Sequence, residues 1–192
     1  MRVQLFDGGH GAVEYVSHTS CSANADSNII TFKFTVPIFV RSQHHRERTW
    51  SYNEIDTSKV KCELYNMKMI REEQGTSGES FDPLIDPGNG AGGSAASYLI
   101  MSHNNKSRIL YEKLINNGVC SEQARSVLPR STYVQYYGTA NLKNVISFVD
   151  RCLRDPVRPE LQLVARACLK LAESFYPELV RSYINSVRIE DE

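Results

Sequence analysis

The sequence is poor in the features that mark secreted, metal-binding and membrane proteins. Its five cysteines stand far apart and include no C-x-x-C pair, which argues against a zinc site or a disulfide framework and favours reduced thiols. No stretch approaches the roughly 20 apolar residues that a helix needs to cross a bilayer, and MRVQLFDGG lacks the charged-then-apolar layout of a signal peptide. We therefore expect a cytoplasmic protein without a metal site.

An excess of positive charge is also missing. Lys plus Arg number 22 and Asp plus Glu number 22, so no global basic field favours non-specific binding to a nucleic-acid polymer. Any nucleic-acid-like ligand should therefore be small. The length of 192 residues suits one compact domain with a sizeable core, and we expect a single domain over residues 1–192.

Against this neutral background, the segment PIFVRSQHHRERTWSYNEIDTSKVKCEL, residues 37–64, concentrates basic side chains. Within a few positions, relieved only by a glutamate, it contains Arg41, His44, His45, Arg46 and Arg48. Like charges this close repel one another unless an anion lies among them. A phosphate-bearing ligand is the natural candidate, and the alternative is a solvated basic loop.

The first half of the chain predicts strands, a helix and a long loop. Apolar residues recur at every second position over 30–36, which predicts a half-buried strand. Pro37 can end this strand and begin a helix over residues 38 to about 45, followed by a loop at 46–53. Residues 74–96 are rich in Gly, Ser and Pro and predict a mobile loop, either a lid or merely disordered.

The second half of the chain is predicted to be helical. One helix is expected over 98–117, ended by Gly118, a residue that suits the left-handed position after a helix. Ser121 is expected to cap the next helix. Further helices are expected over 141–154, from Pro159 and from Pro177. Strands followed by helices indicate an α+β fold with a small antiparallel or mixed sheet.

Three segments of the chain resemble the flavin-dependent thymidylate synthases. PIFVRSQHHRERTWSYNE is similar to the signature in which an apolar strand end leads to Gln, two residues, Arg-His-Arg, two residues, Ser-x-Asn-Glu and then Ser-x-Arg-Tyr. ELYNMKMIREEQGTSGE is similar to the family's Phe-Tyr, Arg-x-x-Gln and Gln-Gly stretch. YEKLINNGVCSEQARSVLPRSTYVQYYGTANLKNVISF resembles its helical half. The segments occur in the family's order and cover nearly the whole chain.

The resemblance implies a specific activity and assembly. It implies an FAD-dependent enzyme that uses NADPH and methylenetetrahydrofolate and transfers a one-carbon unit to C5 of dUMP, giving dTMP. Positioning and electrostatics would carry the reaction, with no cysteine nucleophile. It also implies a homotetramer whose active sites lie between subunits.

Matching positions carry the family's site residues over to this sequence. The signature's Gln, two arginines, Ser, Asn and Glu stand at Gln43, Arg46, Arg48, Ser51, Asn53 and Glu54. The resemblance implies catalytic roles for Arg46 and Glu54. It implies cofactor binding by Arg46, Glu47, Arg48, Asn53, Glu54, Asn141 and Lys143, and substrate binding by Gln43, Arg46, Glu54, Asp56, Ser58, Gln135 and Arg151. The structural alternatives are a cap for Ser51 and a turn for Asn53.

Several family positions are changed in this chain. The middle His of Arg-His-Arg is Glu47, an anion that raises the cost of binding a flavin diphosphate unless its two Arg neighbours offset it. The Arg of Ser-x-Arg-Tyr is Ser58, and the Arg of a later Tyr-Thr-Arg is Gln135. Two arginines expected at the dUMP phosphate are therefore missing.

The change at Cys152 is the most pointed. An alignment without gaps puts Cys152 where the family has the catalytic Arg that polarises uracil. Arg151 and Arg154 flank it, but neighbours on a helix point about 100° apart, so neither replaces that Arg without a shift in register. We expect a changed nucleotide preference, with poor turnover of dUMP that Cys152→Arg improves.

Two alternative functions stay open at the level of sequence. One is a pyrimidine nucleotide hydroxymethylase acting on dCMP or dUMP, because the Arg matched to uracil is missing and Asp56 could accept a hydrogen bond from an amino group. The other is a non-catalytic paralogue that binds a nucleotide or a protein partner. Bound flavin would argue against the paralogue.

Overall fold

The computed structural model of the protein describes residues 1–6, 10–19, 24–56, 63–65, 96–154 and 158–190. They fall into two compact units, Met1–Thr57 with Tyr133–Glu192 as the first and Ser58–Thr132 as the second. The single domain expected over 1–192 remains a prediction. The mobile loop predicted at 74–96 lies outside the described residues, except that Ala96 begins a helix.

The first unit contains a five-stranded sheet in which all neighbouring strands are antiparallel. Its strands are β1 Arg2–Gln4, β2 Ala12–His18, β3 Ile29–Pro37, β4 Ser51–Glu54 and β5 Tyr133–Asn141, in the order β1-β2-β3-β5-β4. Strands β3 and β5 pair along their whole length, from Ile29 opposite Asn141 to Pro37 opposite Tyr133. The predicted α+β class is confirmed, with an antiparallel sheet.

The described parts of the chain contain six α-helices. They are α1 Ile38–His44, α2 Ala96–Asn116, α3 Ser121–Ala124, α4 Leu142–Arg154, α5 Pro159–Glu173 and α6 Pro177–Glu190. Proline occupies the first turn of α5, as predicted from its missing N–H donor. None of the described helices is long and apolar enough to span a membrane.

The core of the first unit follows from the alternation in β3. Ile30, Phe32, Phe34 and Val36 are fully buried, so the predicted period of two is confirmed. Helix α5 packs against α4, α6, β1 and β2 and contributes a buried stripe to this core. A Cβ on Gly138 of β5 would lie 2.8 Å from Phe34 Cε2, so the glycine leaves room for the Phe34 ring over the sheet.

Three local predictions are wrong. Residues 133–141, predicted within the helical half, form strand β5, and the end of the predicted loop at 46–53 forms the edge strand β4. Ser121 does not cap α3, since it is the first helical residue and no side chain caps this helix. Both strands depend on pairing with distant segments, which local sequence does not reveal.

The second unit contains α2 and α3. Gly118 follows α2 with φ of 84°, as its predicted position after a helix requires. Inside this unit the buried Asn104 accepts a hydrogen bond from Ser131 Oγ (3.0 Å) and donates through Nδ2 to the carbonyl oxygen of Tyr65 (3.3 Å).

Candidate functional site

Helix α1 leads into a run of backbone turns at residues 45–50, which we call the basic turn. The N–H groups of three successive residues, from His45 to Glu47, each donate to a carbonyl oxygen three or four residues back, over 2.8–3.2 Å. The N–H of Trp50 then donates to the carbonyl oxygen of Glu47 at 3.2 Å. The backbone of the basic turn is therefore braced by its own hydrogen bonds up to the start of β4.

Tyr52 on β4 clamps the basic turn from the sheet side. Its hydroxyl donates to the carbonyl oxygens of His44 at 2.8 Å and Glu47 at 3.3 Å. The ring of His45 stacks on Tyr52 with centroids 4.1 Å apart. Burial raises the pKa of Tyr52, and the nearby carboxylate of Glu47 raises it further, so the phenol keeps the proton that it donates.

His44 lies in the core, within a cage of aromatic rings. It is fully buried, and a hydrogen bond of 2.8 Å joins its Nδ1 to the hydroxyl of Tyr136. The rings of Phe34, Trp50 and Phe148 lie within 4.8 Å of its ring, centroid to centroid. Burial lowers the pKa of His44 from 6.5 to about 3, so this imidazole is neutral at physiological pH.

The histidines therefore contribute less charge to the basic segment than the sequence indicates. The pKa of His45 is also lowered, by burial and by the guanidinium of Arg41, while Glu54 raises it. A neutral His44 and a disfavoured His45 cation leave Arg41, Arg46 and Arg48 as the positive groups of residues 41–48.

These arginines differ in what they contact. Arg41 makes an ion pair with Glu54 over 2.5 Å, and its side chain is 26% exposed against 62% for the glutamate. Arg46 and Arg48 are exposed, and neither makes an ion pair or a side-chain hydrogen bond within the parts of the chain that the structure describes. Their guanidinium groups are available to an anionic ligand.

Glu47 is paired with a helix and not with its Arg neighbours. Its carboxylate accepts from the Nη2 of Arg151 on α4, and its side chain is 19% exposed against 57% for the arginine. Glu47, which stands in place of the middle His of the family's Arg-His-Arg, is therefore paired with the positive charge of Arg151. The pair also brings an arginine of α4 to the basic turn, as expected if Arg151 belongs to the site.

The N-terminus of α4 is connected to the basic turn by Asn144, whose Nδ2 donates to the carbonyl oxygen of Thr49 (3.4 Å). Asn141 caps this helix, because its Oδ1 accepts from the N–H of Asn144 at 2.8 Å. Lys143 points to another partner, Asp26, at 3.3 Å. Of the two residues predicted to bind the cofactor here, Asn141 therefore has a structural role and Lys143 an exposed ion pair.

A comparison with protein families shows which family this chain belongs to. The model of the family described as "Thymidylate synthase complementing protein" matches residues 13–178, a range that includes the basic turn, β3, β5, α4 and α5. The chain belongs to this family. The resemblance inferred from the three sequence segments is thereby confirmed.

Similar proteins in this family are flavin-dependent thymidylate synthases. That of Thermus thermophilus is 30% identical over 154 residues, which cover 78% of this chain and 54% of the relative. That of Thermosipho melanesiensis is 29% identical over 161 residues, covering 81% of this chain and 68% of the relative. The chain thus spans about half the length of the Thermus relative that it matches.

A solved structure has the same fold. The UMP/dUMP methylase PolB from Streptomyces cacaoi, bound with 5-Br UMP, superposes with a TM-score of 0.68 at 20% sequence identity. The superposition covers 91% of this chain and 94% of PolB. At this level of identity the likeness shows a shared fold, which agrees with the α+β fold expected for the family.

Cys152, aligned with the family's polarising Arg, lies in the core. It is 6% exposed on α4, and Cys168 of α5 is fully buried. Burial, and then the nearby Cys152, raises the pKa of Cys168, so the Cys168 thiol is protonated and lies close to Cys152. This position does not suit a group that touches a substrate, whereas the preceding Arg151 reaches the basic turn.

Other predicted site residues lie on the sheet. Ser51 and Asn53 are exposed on β4, opposite Thr139 and Tyr137 of β5, so neither the cap nor the turn describes them. Gln135 is half-buried on β5, and its Nε2 donates to Thr35 Oγ1 at 3.3 Å. The segment expected to be helical around Gln135 is therefore a strand.

The remaining predictions concern Gln43, Asp56 and Ser58. Gln43 is half-buried on α1, and Asp56 is exposed just beyond β4. Ser58 lies outside the described residues. Tyr52 and Asn144, which hold the basic turn, were not predicted from sequence. The alternation of aromatic and polar residues in WSYN was an available signal for Tyr52, whereas no sequence signal indicated Asn144.

Proposed function

We propose that the protein is a flavin-dependent enzyme of the thymidylate synthase type that methylates C5 of a pyrimidine deoxynucleotide monophosphate, converting dUMP to dTMP. FAD is the proposed cofactor, with NADPH and methylenetetrahydrofolate as co-substrates. The observation that carries the proposal is the basic turn, where Arg46 and Arg48 are exposed and not engaged by described residues, in a chain of this family.

The residues of the basic turn fit the diphosphate of FAD. Guanidinium groups bind phosphate oxygens through charge-assisted and often bidentate hydrogen bonds. Arg46 and Arg48 supply two such groups, and the pairing of Glu47 with Arg151 offsets the anion between them. Asn53 offers an exposed amide on the adjoining strand. When bound and reduced by NADPH, FAD supplies the hydride that completes the methyl group.

Arg151 is the proposed group beside the pyrimidine ring. For C5 to attack a one-carbon electrophile, the uracil ring must be polarised toward negative charge at C5, and a fixed cation that donates hydrogen bonds to the ring stabilises that polarised state. The buried thiol of Cys152 cannot supply such a field, whereas the exposed guanidinium of Arg151 can. Gln43, Glu54, Asp56, Ser58 and Gln135 remain the proposed nucleotide-binding residues.

A homotetramer is proposed as the active form. The sites of the family lie between subunits, and a closed, symmetric assembly is the usual way to build such shared sites. The exposed apolar side chains of α2, among them Tyr98, Leu99 and Ile109, are consistent with contacts beyond one subunit. Light scattering at micromolar concentration tests this, and a monomer mass would contradict it.

The two alternatives receive less support. The similar proteins are named thymidylate synthases and a UMP/dUMP methylase, which favours a methyl over a hydroxymethyl product. Mass spectrometry of the product distinguishes the two outcomes. A non-catalytic paralogue that binds a nucleotide would also need the exposed arginines of the basic turn, so retained flavin and dTMP formation are the observations that distinguish it from an enzyme.

The decisive experiment is reconstitution of the protein with excess FAD, gel filtration, and assay of dUMP in the presence of NADPH and methylenetetrahydrofolate. Wild type should retain flavin and form dTMP, while Arg46→Ala and Arg48→Ala each lose flavin. Arg166→Ala is the matched control, because this arginine is exposed on α5, outside the basic turn. Wild type without retained flavin would contradict the proposal.

A further inference from the structure

We propose that Glu47 is a positioning residue that holds the guanidinium of Arg151 at the nucleotide subsite, an inference that rests on the proposed function. In this view the glutamate within Arg-x-Arg is the means by which this chain brings a cation from α4 to its basic turn. The observation behind it is the Glu47–Arg151 ion pair, which joins residues 104 positions apart.

The backbone of Glu47 is the best anchored part of the basic turn. Its N–H donates to the carbonyl oxygen of His44, and its own carbonyl oxygen accepts from Trp50 N–H and from the Tyr52 hydroxyl. The Glu47 side chain is mostly buried, at 19% exposure. A group held in this way presents its oxygens in one direction, so its partner takes that orientation.

Arg151 is the more exposed partner of the pair. Its side chain is 57% exposed, and a long arginine side chain loses considerable rotamer entropy when a ligand must order it. Because the ion pair with Glu47 already orders the Arg151 side chain, part of this entropy is lost before the nucleotide binds. One guanidinium has five N–H donors, so those not facing the carboxylate remain for the ligand.

The other arginine near the end of α4 is not placed in the same way. Arg154 donates through Nε to Asp150 at 3.1 Å, one turn back along the helix, and Asp150 also accepts from the hydroxyl of Tyr183 at 3.3 Å. Arg154 is thus directed along α4, and Arg151 is directed toward the basic turn. This difference selects Arg151 as the residue on which Glu47 acts.

The pair does not abolish the positive character of the turn. Arg46, Arg48 and Arg151 against Glu47 leave a net formal charge of +2 for the group. The glutamate therefore gives up part of the local field and fixes the direction of one donor. A direction-dependent role is expected to affect the nucleotide, which needs a placed donor, more than the flavin diphosphate, which needs charge.

The test compares Glu47→Gln, Arg151→Ala and the double variant by dUMP titration and by kcat and KM. Glu47→Gln should raise the dUMP Kd by about 10-fold, with a higher KM and a lower kcat, because an unpaired Arg151 loses its orientation. Glu47→Gln should add no further defect to Arg151→Ala, since the glutamate acts through the arginine. Arg154→Ala is the matched control on the same helix and should leave dUMP affinity unchanged.

The charge-swapped variant Glu47→Arg with Arg151→Glu separates positioning from stability. It restores an ion pair between the turn and α4, so its Tm should be closer to that of wild type than the Tm of Glu47→Gln is. Its affinity for dUMP should stay low. Recovery of dUMP affinity in the swap, additive defects in the double variant, or a Glu47→Gln enzyme equal to wild type would each overturn the inference alone. A wild type that binds neither FAD nor dUMP would overturn the proposed function as well.

Discussion

Nδ1 of His44 and the hydroxyl of Tyr136 form a buried hydrogen bond of 2.8 Å that ties the last residue of α1 to the middle of β5. The bond adjoins the basic turn, because His44 directly precedes the turn and its carbonyl oxygen accepts a hydrogen bond from the Tyr52 hydroxyl. The turn with the exposed arginines therefore follows directly after a histidine that is packed among buried aromatic rings.

The first prediction concerns acid stability. The pKa of His44 falls from 6.5 to about 3 on folding, so the unfolded chain binds the extra proton. Its contribution to stability is full above pH 6.5 and is lost as the pH falls from 6.5 toward 3. Between pH 7.5 and 5 this residue should remove about 2 kcal/mol from the free energy of unfolding.

Urea unfolding of wild type and His44→Phe at several pH values measures this effect. The variant is expected to be less stable at pH 7.5, since Tyr136 loses a buried partner, but to show a flatter pH dependence. His103→Gln, an exposed histidine on α2, is the control and should keep the wild-type slope. An unchanged slope in His44→Phe would refute a buried neutral His44.

The second prediction concerns the clamp formed by Tyr52. Tyr52→Phe removes both hydrogen bonds to the turn, which should cost about 1–2 kcal/mol of stability and raise the FAD Kd by roughly 3- to 10-fold. Tyr137→Phe, on the neighbouring strand and 38% exposed, is the control. Equal flavin affinity in both variants would mean that the turn does not depend on the clamp.

The third prediction separates two roles of Asn141. Asn141→Ala should lower stability by about 1 kcal/mol because the cap of α4 is lost, whereas Asn141→Asp should keep it, since aspartate caps equally well. If the amide Nδ2 binds FAD, as the family resemblance implies, Asn141→Asp should still weaken flavin binding. Thermal unfolding and flavin titration of both variants decide between a cap alone and a cap that also contacts the cofactor.

The parts of this fold that could be predicted from sequence are those that depend on neighbours. The alternation in β3, the prolines that begin helices and the glycine after α2 all act within a few residues. Strand β5 escaped prediction because its partner β3 is about a hundred residues away, as the bond between Thr31 and Thr139 illustrates.

The site was predictable in its residue types and not in its pairings. The basic segment indicated an anion-binding loop, and Arg46 and Arg48 are exposed there. The neutral state of His44 and the partner of Glu47 depend on burial and on contacts across the fold, which a local run of charges does not encode.

The last prediction replaces an expectation from sequence with its opposite. From alignment alone, Cys152→Arg should improve the handling of dUMP, because it restores an arginine of the family. In the structure Cys152 is 6% exposed and adjoins the fully buried Cys168, so an arginine there would place an unpaired charge in the core between α4 and α5. Such burial should cost about 3 kcal/mol or more.

We therefore expect Cys152→Arg to unfold at lower denaturant and to gain no turnover, while Cys152→Ala keeps wild-type turnover. Faster dTMP formation by a stable Cys152→Arg enzyme would instead support the alignment without gaps and contradict the proposed role of Arg151 in the reaction.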